Sequence, residues 1–226
     1  MLVAVADGVG GWNDHGVDPA LFSKELCQHI DNLYKYQIGG MNVDLKKLLV
    51  EAVKLTKPKG SSTFVMAALD PDVKGLLRTI NLGDSGYLIV RQSQDPSDVK
   101  LVYRSPEQLY GFDFPFQCGT NCDLPDKDSD CRVHIVNDGD IVVLASDGIF
   151  DNLFEEDILN CLRRDRTKSS FTSDSADCLA NTAQRKSEDR IYESPFAKHA
   201  QAHGKSEPGG KVDDITVIVS LVKFDS

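Results

Sequence analysis

Two periodicities of apolar residues follow one another along this chain, and together they predict its elements. Short apolar runs bounded by glycine, proline or aspartate are typical of buried strands. The first run leads to Asp7, and later runs predict strands over residues 61–69, 76–82, 87–91, 99–103, 131–136 and 141–145, with a last strand that begins at Asp213. Because short turns join several of these runs, we expect antiparallel pairing.

Apolar positions three and four residues apart predict amphipathic helices. They predict a helix that begins at Pro19, with apolar residues at helical spacing at Leu21, Phe22, Leu26, Ile30 and Leu33. Further helices are predicted over residues 43–55, 157–164, 176–188 and 194–203. Residues 105–130, rich in proline, glycine and acids, are predicted as a long surface loop, and residues 137–140 as a hairpin-type turn. Strands flanked by helices predict an α+β fold with antiparallel sheets.

Three aspartates lie where an apolar run meets a tight turn: Asp7, Asp147 and Asp213. Aspartate is favoured in turns, so turn structure alone would explain any one of them. Three such strand ends at one edge of a sheet would bring carboxylates close together, and carboxylates that close repel one another. A divalent cation would hold them, and oxygen ligands suit Mg²⁺ or Mn²⁺ rather than Zn²⁺. The pattern therefore predicts a metal centre.

Four longer motifs follow one another in the chain. They read Val-Ala-Asp-Gly-Val-Gly-Gly at 5–11, Asn-Leu-Gly-Asp-Ser-Gly at 81–86, Ala-Ser-Asp-Gly-Ile-Phe-Asp-Asn at 145–152 and Gly-Gly-Lys-Val-Asp-Asp-Ile-Thr-Val at 209–217. In order and spacing this set resembles the metal-dependent type 2C protein phosphatases. Shorter stretches at 16–19, 60–63, 115–117 and 194–197 resemble the mitochondrial branch of that family.

The resemblance implies a four-layer α-β-β-α sandwich that holds two Mn²⁺ or Mg²⁺ ions, with a possible third. It implies that Asp7 bridges the two ions and that Gly8 offers its carbonyl. By the same resemblance, Asp147 and Asp213 complete the ligand shell of one metal. Asp151 matches a position that helps to hold a weaker third ion in some members.

One further residue and the mechanism also follow from the resemblance. Asp214 stands where the family places a residue that orients the neighbouring ligand. The implied reaction is hydrolysis of phosphoserine and phosphothreonine in proteins by a metal-activated water. No side chain is therefore predicted to act as a nucleophile.

The family has strands before its first Asp-Gly motif, and these carry an arginine that binds the substrate phosphate and an acidic metal ligand. The resemblance thus predicts that residues 1–226 form a single phosphatase-like domain that lacks these first strands. The alternative function, from another class, is a catalytically impaired regulatory module that binds phosphoproteins without turnover.

Composition restricts the partners of the chain. A net charge of −10 argues against a nucleic-acid surface, whereas bound metal could supply the positive charge that a phosphorylated protein substrate needs. No apolar run reaches the roughly 18 residues of a membrane helix, and the opening residues do not form a signal or transit peptide. We expect an intracellular monomer, and the resemblance is compatible with the mitochondrial matrix.

Six cysteines are present, and none forms a C-x-x-C pair. Zinc modules use such pairs, so a zinc module is not predicted. Because thiols stay reduced inside cells, we expect six reduced cysteines in an intracellular protein. The alternative is a disulfide within the 118–131 segment.

Two other motifs compete with the metal centre as candidate functional sites. Residues 83–86 copy the nucleophile turn of serine proteases, but neither His15 nor His29 upstream stands in a matching setting for a catalytic triad. His199 and His203 have the spacing of two zinc ligands on a helix, but no glutamate follows the first. They are predicted to be exposed helix residues.

Overall fold

The computed structural model describes residues 1–36, 44–93, 95, 98–163 and 168–224. The chain divides into two compact units, the first containing Met1–Ser85, Pro106–Asn137 and Phe224, the second Gly86–Ser105 and Asp138–Lys223. No helix within the described residues is long and apolar enough to cross a lipid bilayer.

Strands and helices follow one another in an order close to the predicted one. They are β1 (Leu2–Gly8), α1 (Pro19–Tyr36), α2 (Leu45–Leu55), β2 (Ser61–Leu69), β3 (Leu76–Leu82), β4 (Gly86–Gln92), β5 (Val99–Arg104), β6 (Leu109–Gly111), β7 (Phe114–Pro115), β8 (Cys118–Gly119), α3 (Pro125–Asp128), β9 (Asp130–Ile135), β10 (Ile141–Ala145), α4 (Asp147–Phe150), α5 (Glu155–Leu162), α6 (Phe171–Ser187), α7 (Pro195–Ala202) and β11 (Val217–Leu221). A 3₁₀ helix, Gly10–His15, follows β1.

The first unit is an antiparallel sheet that carries two helices. Its strands run in the order β1-β2-β3-β9, with β8 paired to the start of β2, while β6 and β7 form a separate hairpin. Helices α1 and α2 pack their apolar faces on this sheet, where alternate residues of β2 such as Phe64 and Met66 are fully buried. The side chain of Asp44 caps α2 by accepting hydrogen bonds from two backbone N–H groups.

The second unit repeats this design with different strands. Its sheet has the antiparallel order β11-β10-β4-β5. Every residue of β10 is buried, and β10 forms the centre of a core to which α5 and α6 contribute Ile158, Leu162 and Leu179. This central strand leads directly into α4, the segment that carries the first acidic residue of the candidate site.

The prediction of antiparallel sheets with flanking helices is confirmed. The predicted bounds of β2, β3 and β10 match the structure, and the other predicted strands and helices are found with ends shifted by a few residues. Val43 and Arg164, predicted as helix ends, lie outside the described residues. The side chain of Leu21 is 52% exposed and does not belong to the buried face of α1.

Two predictions about connections were wrong. Residues 137–140 do not close a hairpin, because β9 pairs with β3 while β10 pairs with β4 and β11. The segment 105–130 is not a plain loop, since it contains three short strands and α3. Local turn chemistry predicts where the chain reverses, but it does not say which sheet the next strand joins.

The prediction of six reduced thiols was also wrong. Cys161 on α5 and Cys178 on α6 form a disulfide, with their Cα atoms 5.6 Å apart. The packing of these two helices places the cysteines within bonding range, a relation that their spacing in sequence does not reveal. The alternative bridge within 118–131 is absent, because Cys118, Cys122 and Cys131 are free thiols.

Candidate metal centre

In the first unit, β1 ends at Asp7 and Gly8, as predicted. These residues lie opposite Thr63 and Ser62 of β2, and the Ser62 hydroxyl donates a hydrogen bond to the Asp7 carbonyl at 2.8 Å. A Cβ atom on Gly8 would lie 2.4 Å from the carbonyl oxygen of Pro19, so α1 can begin this close to the strand only because residue 8 is glycine. The roles of Asp7 and Gly8 as metal ligands stay predictions.

In the second unit, hydrogen bonds join the end of β10 to the segment that precedes β11. The backbone N–H of Ser146 donates to the Thr216 carbonyl at 3.0 Å, and the Thr216 N–H donates to the Ser146 hydroxyl at 3.0 Å. The same hydroxyl donates to the Asp214 carbonyl at 3.2 Å. These bonds hold residues 213–214 beside the start of α4.

Three carboxylates converge at this point. Asp147, Asp151 and Asp213 each present one oxygen atom, and these three oxygens lie within 4.8 Å of one another. Asp147 is the first residue of α4, so a helix and not a simple turn follows β10. Asp213 precedes the first residue of β11, Val217, by four positions, so the prediction that it begins the last strand was wrong.

A lysine ammonium occupies the space between these carboxylates. The Nζ atom of Lys211 lies 2.8 Å from Asp147, 2.9 Å from Asp151 and 3.1 Å from Asp213. Burial opposes the charge on Lys211, but attraction to Asp151 and Asp147 outweighs burial and raises the pKa of the ammonium above its ordinary value. Burial and the neighbouring Asp147 carboxylate raise the pKa of Asp213. The negative charge of the three carboxylates therefore exceeds the positive charge of the single lysine ammonium.

The backbone of Lys211 is held by a buried amide. The Asn152 side chain is fully buried, accepts a hydrogen bond from the Lys211 N–H at 2.9 Å and donates to the Lys211 carbonyl at 2.8 Å. It also donates to the Gly148 carbonyl at 3.0 Å, which ties the lysine to α4. The Phe196 ring, centred 5.2 Å from Nζ, faces the ammonium. Lys211 is therefore a positioned residue and not a surface side chain that happens to lie near acids.

The donors present fit a divalent cation. The Oδ1 atom of Asp147 is buried and has no hydrogen-bond partner among the described residues, although a buried carboxylate oxygen without a partner is costly. Carboxylate oxygens are the ligands that Mg²⁺ and Mn²⁺ prefer. Asp147, Asp151 and Asp213 could hold such an ion.

Asp214 does not join the three converging carboxylates. Its backbone N–H donates to Asp213 Oδ1 at 2.9 Å, so its contribution in this structure comes from the main chain. The predicted orienting role of residue 214 stays a prediction.

Sequence reasoning missed Lys211 and Asn152. Both lie inside the motifs that carry the resemblance, but the site predicted from those motifs contains only aspartates and Gly8. The sequence signal that could have placed Lys211 in the site is its position two residues before the predicted ligand Asp213. Nothing in the sequence shows that Asn152 contacts a residue 59 positions away.

Comparison with known proteins sets this site in context. Models of protein families give no match to this chain. Individual relatives do: "Probable protein phosphatase 2C 26" from Arabidopsis thaliana is 34% identical over 233 residues, which cover 98% of this chain and 74% of that protein. This chain belongs to the protein phosphatase 2C family. The family resemblance predicted from the four motifs is thereby confirmed.

Other members of the family show the same relation. "Protein phosphatase PTC7 homolog" from Homo sapiens is 38% identical over 239 residues, covering 98% of this chain and 75% of that protein. "Probable protein phosphatase 2C 80" from Arabidopsis thaliana is 37% identical over 224 residues and is matched over 52% of its length. The chain thus spans about half the length of some of its type 2C relatives.

Solved structures confirm the predicted fold class of this chain. The photosystem II phosphatase PBCP superimposes with a TM-score of 0.85 at 30% identity, covering 98% of this chain and 87% of that one. The catalytic domain of the serine/threonine phosphatase PstP, solved in complex with 2 manganese ions, has a TM-score of 0.61 at 18% identity and shares the fold alone. The predicted α+β architecture with antiparallel sheets is that of the type 2C phosphatases.

Proposed function

We propose that this type 2C phosphatase hydrolyses phosphoserine and phosphothreonine in protein substrates and that it requires Mn²⁺ or Mg²⁺. The observation that carries the proposal is the convergence of Asp147, Asp151 and Asp213, together with the buried Oδ1 atom of Asp147, which has no hydrogen-bond partner among the described residues. Family membership supplies the reaction class.

The charge of the cluster explains why a metal is needed. Three carboxylates and one ammonium leave an excess of two negative charges, and this excess would repel a phosphate group. When bound, Mn²⁺ or Mg²⁺ lowers the pKa of a water molecule and neutralises phosphoryl oxygens. Asp147 and Asp213 are proposed to hold the metal, with Asp151 serving a weaker additional ion or an outer position.

The remaining residues of the site serve as supports. Asn152 and the hydroxyl of Ser146 fix the segment that carries Asp213 relative to α4, so the ligands keep their spacing without metal. Asp7 and Gly8 are proposed as further metal ligands, presented at the end of β1. Two ions are proposed, as in the PstP structure with 2 manganese ions, and the choice between Mn²⁺ and Mg²⁺ is open to experiment.

Release of inorganic phosphate from phosphoserine and phosphothreonine peptides tests the proposal. We expect release with millimolar Mn²⁺, none with a chelator, and little from a phosphotyrosine peptide. Asp147→Asn should abolish release, and Asp174→Asn, an exposed acid on α6, should leave it unchanged. A folded wild-type protein that releases no phosphate with either metal would contradict the proposal.

Nothing in the described residues or the relatives favours the alternative of a phosphoprotein-binding module without turnover. The site has the acidic residues that a metal needs, and its matched relatives are named as phosphatases. Binding of phosphopeptide by protein that shows no metal-dependent turnover would revive this alternative.

A location in the mitochondrial matrix and a monomeric state are finer proposals. The first is supported by the likeness of the short motifs to the mitochondrial branch and by the PTC7 homologs among the relatives. Fractionation of cells that express the full-length protein tests the location, and light scattering after size exclusion measures the oligomeric state.

A further inference from the structure

Lys211 differs from several other lysines of the described residues because its ammonium contacts three carboxylates at once. The ammonium groups of Lys35, Lys47, Lys54 and Lys186 each pair with one carboxylate, as Lys186 does with Asp157 at 2.6 Å. The ammonium of Lys211 has three N–H donors and lies within 3.1 Å of three carboxylates, all of them residues proposed to bind metal.

The surrounding structure holds this lysine in place. Asn152 bonds both polar groups of the Lys211 main chain, the Phe196 ring faces its ammonium, and the side chain is only 18% exposed. A flexible surface lysine would lose several rotatable bonds to reach such a position. The fold has therefore placed a permanent positive charge at the point where the carboxylates converge.

That placement sets lysine and metal in competition. The ammonium bonds Oδ2 of each of the three aspartates, whereas Oδ1 of Asp147 stays buried and unpartnered among the described residues. One monovalent cation thus satisfies only part of the cluster. A divalent cation would supply more charge to the same oxygens, but the lysine contacts to those oxygens must then be given up.

We propose that Lys211 is a built-in placeholder for a divalent cation: its ammonium keeps the metal-ligating carboxylates together in the metal-free protein and leaves them when metal binds. The inference rests on the proposed metal-dependent function. It makes Lys211 a positioning residue that lowers the apparent metal affinity, so that the site loads only above a threshold metal concentration, while it protects the empty site from the repulsion between its own carboxylates.

Lysine-to-methionine substitution tests the placeholder directly, since methionine keeps a flexible apolar stem and removes the charge. Mn²⁺ binding is measured by electron paramagnetic resonance of the free ion, and melting temperature is measured with and without Mn²⁺. In Lys211→Met we expect the dissociation constant for Mn²⁺ to fall roughly tenfold or more, because hydrogen bonds to charged groups no longer have to be broken. The metal-free variant should melt below wild type, and Mn²⁺ should raise its melting temperature more than that of wild type.

Lys186→Met is the matched control. Lys186 is also partly buried, bonds a carboxylate and lies 4.5 Å from the centre of an aromatic ring, that of Tyr192, but its ammonium bonds Asp157 and the Tyr192 hydroxyl and not the three cluster aspartates. Its loss should lower the melting temperature and leave the Mn²⁺ dissociation constant unchanged. Lys211→Arg, which keeps the charge, should stay within about threefold of wild type.

Each outcome decides the inference. If Lys211→Met binds Mn²⁺ as wild type does, or more weakly, the placeholder is refuted. If this variant and Lys211→Gln fold only with Mn²⁺ present, the placeholder is supported, and if neither folds with Mn²⁺, Lys211 is merely structural and the inference fails. Tighter Mn²⁺ binding in Lys211→Met, together with a wild type that releases no phosphate, would instead refute the proposed function alone.

Discussion

The two ends of strand β10 carry acidic residues in opposite situations. Asp140, just before the strand, has both carboxylate oxygens bonded to the Arg91 guanidinium, at 2.8 and 2.6 Å. Asp147, just after the strand, shares one lysine with two other aspartates and keeps a buried oxygen without a hydrogen-bond partner among the described residues. One end of the strand is neutralised within the fold, and the other retains excess negative charge.

This difference shows how a carboxylate with a structural role can be distinguished from one that binds a ligand. A bidentate arginine satisfies the geometry and charge of a carboxylate completely, so nothing further is needed at Asp140. At Asp147 the same fold leaves hydrogen-bonding capacity and charge unmet, which a native structure rarely tolerates without a function. Equivalent substitutions at the two ends should therefore have different consequences.

The largest effect is expected for Asp147→Asn. Loss of an outer partner of a metal site typically costs roughly 10–100-fold in activity, and loss of a direct ligand should cost about a thousandfold or more. The unfolding free energy should change little, because the substitution removes one charge from an acidic cluster. Rates of phosphate release and urea unfolding measure the two quantities. A variant that keeps full activity would remove Asp147 from the site.

At the other end of the strand, Arg91→Met should lower the free energy of unfolding by about 3 kcal/mol, since it leaves the Asp140 carboxylate buried without its partner. Phosphate release by the folded fraction and Mn²⁺ affinity should stay at wild-type values. The double variant Arg91→Met, Asp140→Asn should recover part of the lost stability. A selective loss of Mn²⁺ affinity would show that the two ends are not independent.

Removal of the disulfide between α5 and α6 tests whether metal binding by the aspartate cluster depends on the packing of these two helices. Cys178 lies 17 positions after Cys161 in the sequence. A disulfide that closes a loop of this length contributes roughly 2–3 kcal/mol to the free energy of unfolding. The Cys161→Ser, Cys178→Ser variant should lose about that much stability, and its urea transition should no longer respond to reductant. Its Mn²⁺ affinity should stay within about threefold of wild type, because neither cysteine contributes to the cluster. A wild-type transition that ignores reductant would contradict the bridge.

The smallest effect is expected at Asp70, which, like Asp140, is a buried aspartate paired with an arginine. Burial would raise the pKa of Asp70, but hydrogen bonds from the Asp72 N–H and from Arg78 lower it below its ordinary value. A lowered carboxyl pKa stabilises the fold above the ordinary value of about 4 and loses that contribution as the pH falls through the lower, folded value. Wild type and Asp70→Asn should therefore differ in unfolding free energy near pH 6 and converge below about pH 3. A constant difference from pH 6 to pH 3 would contradict the shifted pKa.

Prediction from the sequence worked where the physical signal is local. The runs that form β2, β3 and β10 are bounded by glycine, aspartate or serine, so their ends could be predicted. Asp147, Asp151 and Asp213 could be named as candidates because their motifs are specific in order and spacing, and the structure brings the three together, while their role as metal ligands stays a prediction.

Prediction failed where the signal is a contact between distant segments. The pairing of β10 with β4 instead of β9 depends on which sheet can bury the strand, and the turn at residues 137–140 carries no such information. The disulfide depends on the packing of α5 against α6, and the position of Lys211 depends on an amide fixed at the end of α4. These relations arise only once the units are folded.

Titration of Mn²⁺ into the folded protein, followed by electron paramagnetic resonance of the unbound ion, tests the central claim most directly. The account predicts saturable binding by wild type and by Asp140→Asn, and binding weakened at least about a hundredfold in Asp147→Asn and Asp213→Asn. Equal binding by wild type and both cluster variants would contradict it, because the converging carboxylates would then not be the metal site.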